Sequence, residues 1–274
     1  MTGVRRVRLV GENGIVRTGV VDGDVVRLEQ ADSNSTVAII DPETLDVAEP
    51  WQLLAPVEPP EVWAAGVTYE RSRDARIEES EAKDVYSLVY DAERPELFLK
   101  DAGGRRTVGP GQPIGVRGDA TWSVPEPELA LVLGNRVPVA VTIGNDVSSR
   151  DIEGANPLYL PQAKIYAGAC ALGPAVLAPE DWSQPFEIEL RISDGHGKTL
   201  WEAETSTARM KRSFDELVEF LVRDNPVPAG SVLMTGTGLV PPDDVTLLPG
   251  HTVAIRVPGI GTLVNPVRRA EELL

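Results

Sequence analysis

The chain has 274 residues with 42% apolar content, enough for a real core in one large domain or a large domain beside a small one. Its formal net charge of −16 argues against a nucleic-acid partner, because phosphates are held by Lys and Arg, and against an anionic membrane surface. A single cysteine, Cys170, excludes an internal disulfide, and its Gly/Ala surroundings read as a buried, inert thiol.

At the start, Arg5, Arg6 and Arg8 are followed by Gly11, Glu12 and Asn13 rather than an apolar run, so no secretory leader is expected. The longest uncharged run, 165–178, contains Gly168, Gly173 and Pro174 and is too short to span a bilayer as a helix. These features predict a cytoplasmic protein. Short strands are expected over 4–10, 14–21 and 24–28, separated by the turn signals Gly-Glu-Asn-Gly and Val-Asp-Gly-Asp. A short helix is expected over 41–54. Pro56, Pro59 and Pro60 form a stiff connector, which divides the chain into a small β-rich unit, 1–57, and a large one, 58–274.

The stretch from Val62 reads as a buried strand, a glycine turn at Gly66, and a highly charged helix running toward Tyr90. Such a helix is a solvated face or a mobile lid over a site. A further strand, 95–100, puts Glu96, Phe98 and Lys100 on one face. That face suits either solvent or a pocket wall.

Trp122 to Lys164 is the most informative block. Glu126 and Glu128 are two apart at the start of a Leu/Val run, so a strand aims both carboxylates the same way. A bare Glu-x-Glu fits a solvated edge strand. Pro125 and Pro127 disfavour regular pairing and point to an irregular backbone that aims the side chains. Two carboxylates held together need neutralising, and a hard divalent cation does this with oxygen ligands. Asp146 adds a third carboxylate at the end of a β-branched run. Ser148, Arg150 and Asp151 follow it, and then Lys164 between Ala163 and Ile165. A lysine among apolar neighbours is either a snorkelling side chain or one held neutral enough to take a proton.

The last third is strand-rich, with clean alternation over 186–192 and a turn at Ser193-Asp-Gly-His-Gly-Lys. The best helix is 213–223: Ser213 and Glu216 form a capping box, and Phe214, Leu217, Val218 and Leu221 share one face. A strand from Ser231 runs into Thr235-Gly-Thr, a loop that is either a plain turn or an anion-binding nest. His196 and His251 sit in turn-like contexts outside any zinc or triad pattern.

Together, Pro-Glu-Pro-Glu-Leu-Ala-Leu-Val-Leu, then Asn-Asp-Val-Ser-Ser-Arg-Asp, then a Gln-x-Lys segment, then Thr-Gly-Thr closely resemble the fumarylacetoacetate hydrolase superfamily over about residues 60–270. The resemblance implies an α+β, mostly β fold, a mixed β-sandwich roll with a small N-terminal domain. It implies a homo-oligomer, a dimer or tetramer, with 58–274 as the catalytic domain. It also implies Mg2+, with Ca2+ or Mn2+ as substitutes, held by Glu126, Glu128 and Asp146.

One departure is informative. Family hydrolases and decarboxylases carry Gly-x-Asn-Tyr-x-x-His-x-x-Glu, whose His and Glu activate water. Here Ser72 and Ala75 stand at those two positions. The Tyr90-Asp-Ala-Glu-Arg-Pro-Glu and Asn156-to-Gly168 segments look like the branch that dehydrates 2-keto-3-deoxy sugar acids to 2,5-dioxopentanoate. On that resemblance the substrate is a small 2-keto acid that chelates the metal through its carboxylate and keto oxygens. Lys164 is then the base at the methylene, the metal stabilises the enolate, and Glu96 is the acid at the departing hydroxyl, with Glu70 and Glu79 as weaker choices. Ser148, Arg150, Thr237 and Lys100 are the candidate substrate-binding residues, Arg150 alternatively pairing with Asp151. Competing readings are an acylpyruvate hydrolase or oxaloacetate decarboxylase, and a non-catalytic metal-stabilised binding protein.

Overall fold

The computed structural model describes residues 2–29, 35–79 and 88–274, with the backbone alone given for 75–79. Thirteen strands among them form one sheet. At its centre, Pro127–Gly134 pairs antiparallel with Val137–Asp146, which pairs in turn with Cys170–Pro179. Beyond Pro127–Gly134 lie Val232–Met234, Glu61–Gly66 and Glu96–Ala102. The N-terminal meander Gly3–Val10, Val16–Asp22, Val25–Leu28 and Thr36–Asp41 extends the other end, Val4 facing Ala178 across the join.

A second sheet of five strands packs on the first: Ile114–Val116, Gly261–Arg269, Thr252–Val257, Glu187–Ser193 and Thr199–Ser206. The alternation seen over 186–192 places Ile188, Leu190 and Ile192 inward. They meet Leu129, Leu131 and Leu133 in the main core, so the molecule is mostly β with sheets packed face to face. Phe214–Val222 covers one side of this core. Ser213 caps it, accepting the Glu216 N–H at 3.1 Å, while the Glu216 carboxylate takes a hydrogen bond from Arg212.

The expected helix over 41–54 does not form. The Asp41 carboxylate accepts the Glu43 N–H at 2.8 Å, making a local turn that competes with a helix. Leu45 follows with a positive φ of 61° and buries its side chain, and two-residue strands stand at Asp46–Val47 and Gln52–Leu53. A left-handed leucine cannot continue a right-handed helix.

Parity along the strands settles where the site lies. In the three central strands the odd-numbered Leu129, Leu131, Val141 and Ile143 face the main core. The even-numbered Ala130, Val132, Ala140, Cys170 and Met234 build a second cluster on the opposite face, which Phe98 joins. Glu96, Lys100, Glu128 and Asp146 share that parity and so leave their strands on the same side.

Candidate active site

Pro127 opens its strand, the position in a sheet that tolerates proline. Pro125 and Glu126 lie in the irregular link between Ser123–Val124 and that strand. One backbone bond and one side-chain bond pin this link to the neighbouring strand: Asp146 N–H donates to Glu126 O at 2.9 Å, and Glu126 N–H donates to Asn145 Oδ1 at 3.2 Å. Glu126, Glu128 and Asp146 therefore converge. Each offers a carboxylate oxygen within 4.8 Å of the others, and all three are buried.

Three buried cations hold this cluster. Lys164 closes the short helix Leu160–Lys164 and is 2% exposed. Its Nζ donates to Glu126 Oε2 at 2.6 Å, Asp146 Oδ2 at 3.0 Å and Ser148 Oγ at 2.6 Å. All three N–H donors of the ammonium are used, so this is no snorkelling side chain. Arg150 donates to Glu126 Oε1 at 2.8 Å, so its partner is Glu126; Asp151 instead accepts the Thr121 N–H and hydroxyl. Lys100, fully buried, pairs with Asp146 and donates to Val147 O at 3.0 Å.

The Thr235-Gly-Thr loop does present an N–H to an anion, and the anion is the protein's own: Gly236 N–H donates to Glu128 Oε2 at 2.6 Å. Glycine is required there, since φ is +91° and a Cβ would lie 2.1 Å from Thr68 Oγ1. Burial, together with the charges of Asp146 and Glu126, raises Glu128 well above the usual carboxylate range, against the Gly236 N–H and Lys164, which lower it. The Cys170 thiol is pushed up to about 12 by burial, in keeping with an inert cysteine.

The carboxylates line a tight cavity of about 20 Å³, little more than the room one water needs. Glu96, Phe98, Lys164 and Thr237 complete much of its wall. The Glu96 carboxylate lies against the Gly66 α-carbon, where any side chain would collide with it at 2.0 Å. Thr237 faces the cavity while its hydroxyl donates to Leu239 O at 3.2 Å. Lys100 sits behind Asp146 rather than in the wall. Glu70 points to solvent, paired with Arg73, and the Glu79 side chain lies outside the described residues. The charged segment after Gly66 forms the helix Glu70–Glu79, and 80–87 also lie outside them. Wider grooves open elsewhere, one over Glu189, Arg191 and Glu204, away from the converging carboxylates.

Two wall residues carry chemistry the sequence reading did not assign. Ser72 is buried and donates to Thr237 O at 2.5 Å, which commits its hydroxyl to the loop. Glu153 is buried on the short helix Arg150–Ala155 and lines the cavity. Its three-residue spacing from Arg150, one helical turn, is the signal that could have found it.

The donor set suits a hard divalent cation. It is all oxygen, converged and buried. Around the cavity, Glu96, Glu126, Glu128, Asp146 and Glu153 outnumber Lys100, Arg150 and Lys164 by two formal charges, a deficit that one dication closes.

Known proteins agree with this architecture. The family model for the fumarylacetoacetate (FAA) hydrolase C-terminal region matches residues 62–268. The chain is 53% identical over 213 residues to the Probable 2-keto-3-deoxyxylonate dehydratase of Haloferax volcanii, covering 77% of this chain and 73% of that protein. It is 42% identical over 228 residues to the 2-dehydro-3-deoxy-D-arabinonate dehydratase of Saccharolobus solfataricus, covering 81% and 76%. A solved structure of 2-keto-3-deoxy-D-arabinonate dehydratase complexed with magnesium and 2,5-dioxopentanoate superposes with a TM-score of 0.84 at 36% identity, over 97% of this chain and 99% of that one.

Proposed function

This chain belongs to the fumarylacetoacetate hydrolase family, and from that premise we propose that it is a Mg2+-dependent hydro-lyase converting 2-keto-3-deoxy-arabinonate or -xylonate to 2,5-dioxopentanoate. The observation that carries the reading is the buried trio Glu126, Glu128 and Asp146 with Lys164 Nζ within hydrogen-bonding distance of two of them. The names and the magnesium complex of the relatives support it.

Glu126, Glu128 and Asp146 would hold Mg2+, with Ca2+ or Mn2+ able to take its place. When bound, the cation supplies Lewis acidity at the keto acid, which makes the adjacent methylene acidic. With the three carboxylates committed to a cation, Lys164 would give up one ammonium proton, and its neutral Nζ then takes the proton from that carbon, C3. Glu96, held against Gly66 at the cavity wall, gives a proton to the hydroxyl leaving C4. The resulting 5-hydroxy-2-oxopent-3-enoate tautomerises to 2,5-dioxopentanoate, losing a C5 hydrogen and the C5 hydroxyl proton and gaining protons at C3 and C4. Thr237, in the wall beside the trio, binds the substrate carboxylate by turning its hydroxyl proton away from Leu239 O. Ser148 and Arg150 act one step back, Ser148 by holding Lys164 and Arg150 by holding Glu126. Lys100 likewise acts through Asp146. Ser72 is tied to Thr237 O and does not offer the water-activating base of a hydrolase.

The division into 1–57 and 58–274 is kept as a proposal, supported by the family model beginning at residue 62. So are a cytoplasmic location and a homo-oligomer, the latter on the family resemblance. No helix among the described residues is long and apolar enough to cross a membrane.

The test is direct. Purified protein with Mg2+ is offered a panel of 2-keto-3-deoxy acids, acylpyruvates and oxaloacetate, and products are identified by mass. Loss of one water from a 2-keto-3-deoxypentonate, abolished by chelator, is the expected result. Turnover of acylpyruvate or oxaloacetate alone would overturn the assignment.

A further inference from the structure

The three converging carboxylates are held in two ways. Glu126 and Asp146 are gripped by buried cations, Lys164 with Arg150 on the first and with Lys100 on the second. Glu128 instead accepts the Gly236 N–H at 2.6 Å. The oxygen of that same peptide group, Thr235 O, accepts the Thr68 hydroxyl at 2.7 Å. We infer that Thr68 is a positioning residue for the cation site: its hydroxyl fixes the Thr235–Gly236 peptide so that the N–H aims at Glu128. This inference rests on reading Glu126, Glu128 and Asp146 as the cation ligands.

The backbone at this point needs fixing. A trans peptide group is planar, and its C=O and N–H point opposite ways. Gripping the oxygen on one side therefore directs the N–H to the other. Gly236 has φ of +91°, and glycine takes either sign of φ readily, so this peptide has two accessible orientations. The turned-over one would put Thr235 O against the Glu128 carboxylate, acceptor against acceptor. Before this peptide the chain is already tied, since the Thr235 N–H and hydroxyl both donate to Leu129 O, at 3.1 and 2.9 Å. Thr68 is firmly placed to do the rest. It is fully buried, and its own carbonyl accepts the Lys211 N–H at 2.9 Å. Its Oγ1 packs so closely on Gly236 that a Cβ there would lie 2.1 Å away.

The consequence falls on the cation. A hydrogen bond accepted at the carbonyl polarises the amide and strengthens the N–H as a donor. A neutral N–H also orients Glu128 without neutralising it, so the carboxylate keeps its charge for a metal. Groups that stand behind a metal ligand and orient it are worth about 10- to 100-fold in metal affinity.

The experiment measures Mg2+ affinity by calorimetry on metal-free wild type, Thr68→Val, Thr68→Ser and Ser72→Ala. T68V keeps the shape of the side chain and removes the hydroxyl, so it should bind Mg2+ about 10- to 100-fold more weakly. T68S keeps the hydroxyl and should bind like wild type. Ser72→Ala removes a second buried hydroxyl of the same segment, one that donates to Thr237 O at 2.5 Å and so grips a different peptide. It should also bind like wild type. Wild-type affinity in T68V overturns the inference. A loss in S72A as large as that in T68V overturns it too, because general loosening of the loop then accounts for both. So does an equal loss in T68S, where the hydroxyl is still present. If T68V does not fold, exchange of the Gly236 amide hydrogen in wild type decides, followed by NMR with isotope-labelled glycine. Protection with and without Mg2+ is expected, and exchange at the rate of an exposed amide overturns the inference. Wild type that binds no Mg2+ overturns the cation reading itself, and this inference with it.

Discussion

Two faces of one sheet use the same strands for opposite purposes. On the face toward the second sheet, Leu129, Leu131 and Ile143 meet Ile188, Ile255 and Leu263, all buried among apolar neighbours. On the other face the same strands carry Glu128 and Asp146, buried just as deeply, with Glu126 beside them. The first face gains stability from every contact, at about 25 cal/mol per Å² of apolar surface removed from water. The second gathers like charges out of water, which is costly unless partners offset it. Lys100, Arg150 and Lys164 supply part of the offset, and a dication would supply the rest. Substitutions on the apolar face should thus change stability without regard to metal. Those on the acidic face should change it in a metal-dependent way.

Lys164→Met should show the largest effect. Turnover should fall by about 10²- to 10⁴-fold, the usual contribution of a positioned base. Glu126 and Asp146 lose a buried partner at the same time, so the metal-free variant should melt lower, by the roughly 3–5 kcal/mol of a broken buried pair, and Mg2+ should restore much of the loss. Equal destabilisation with and without Mg2+ would erase the contrast between the faces.

Ile255→Ala probes the apolar face. The residue is fully buried, and the change should cost about 2–5 kcal/mol. Chemical denaturation with and without Mg2+ should give the same loss, and the Mg2+ affinity of the folded variant should match wild type.

Glu126→Gln comes next. At a Mg2+ concentration 100-fold above Kd, wild type should gain about 2.7 kcal/mol, and the variant should gain little. A thermal shift equal to wild type would remove Glu126 from the ligand set.

The smallest effect is in pH. Glu128 is raised above its ordinary value of 4.5 by burial and by Asp146 and Glu126. Between that value and its folded one, the native state binds more protons than the unfolded state, so metal-free stability should fall as pH rises. A bound cation needs the carboxylate ionised, so the stabilisation by Mg2+ should grow over the same range. Melting curves at about pH 5 and about pH 8, with and without Mg2+, check the sign; a Mg2+ increment that shrinks at the higher pH would contradict it.

Much of this was legible in the chain because strand parity is local. The facing of Glu128, the strand end at Asp146 and the shared face of Glu96, Phe98 and Lys100 follow from a period of two, while Glu126, in the irregular link, is aimed by its bonds to Asn145 and Asp146. The capped helix at Phe214–Val222 follows from a period near 3.6. What was not legible depends on partners distant in sequence. Arg150 was weighed against Asp151, but its partner is Glu126, 24 residues away. Lys100 lies on the expected face yet ends behind Asp146, 46 positions on, because the strands between them bring the two together. Glu153 was passed over because a six-residue helix has too few positions to show which side is buried. The helix expected over 41–54 failed on a turn closed by a single side chain, the Asp41 carboxylate.

The most direct test of the acidic face as a site of proton chemistry is exchange of the substrate C3 hydrogens with solvent deuterium, followed by proton NMR in the presence of Mg2+. Wild type should wash deuterium into C3. Lys164→Met should lose that exchange while binding Mg2+ at least as tightly as wild type. Exchange at the wild-type rate in Lys164→Met would contradict the assignment of Lys164 as the base and make Glu96 the first alternative.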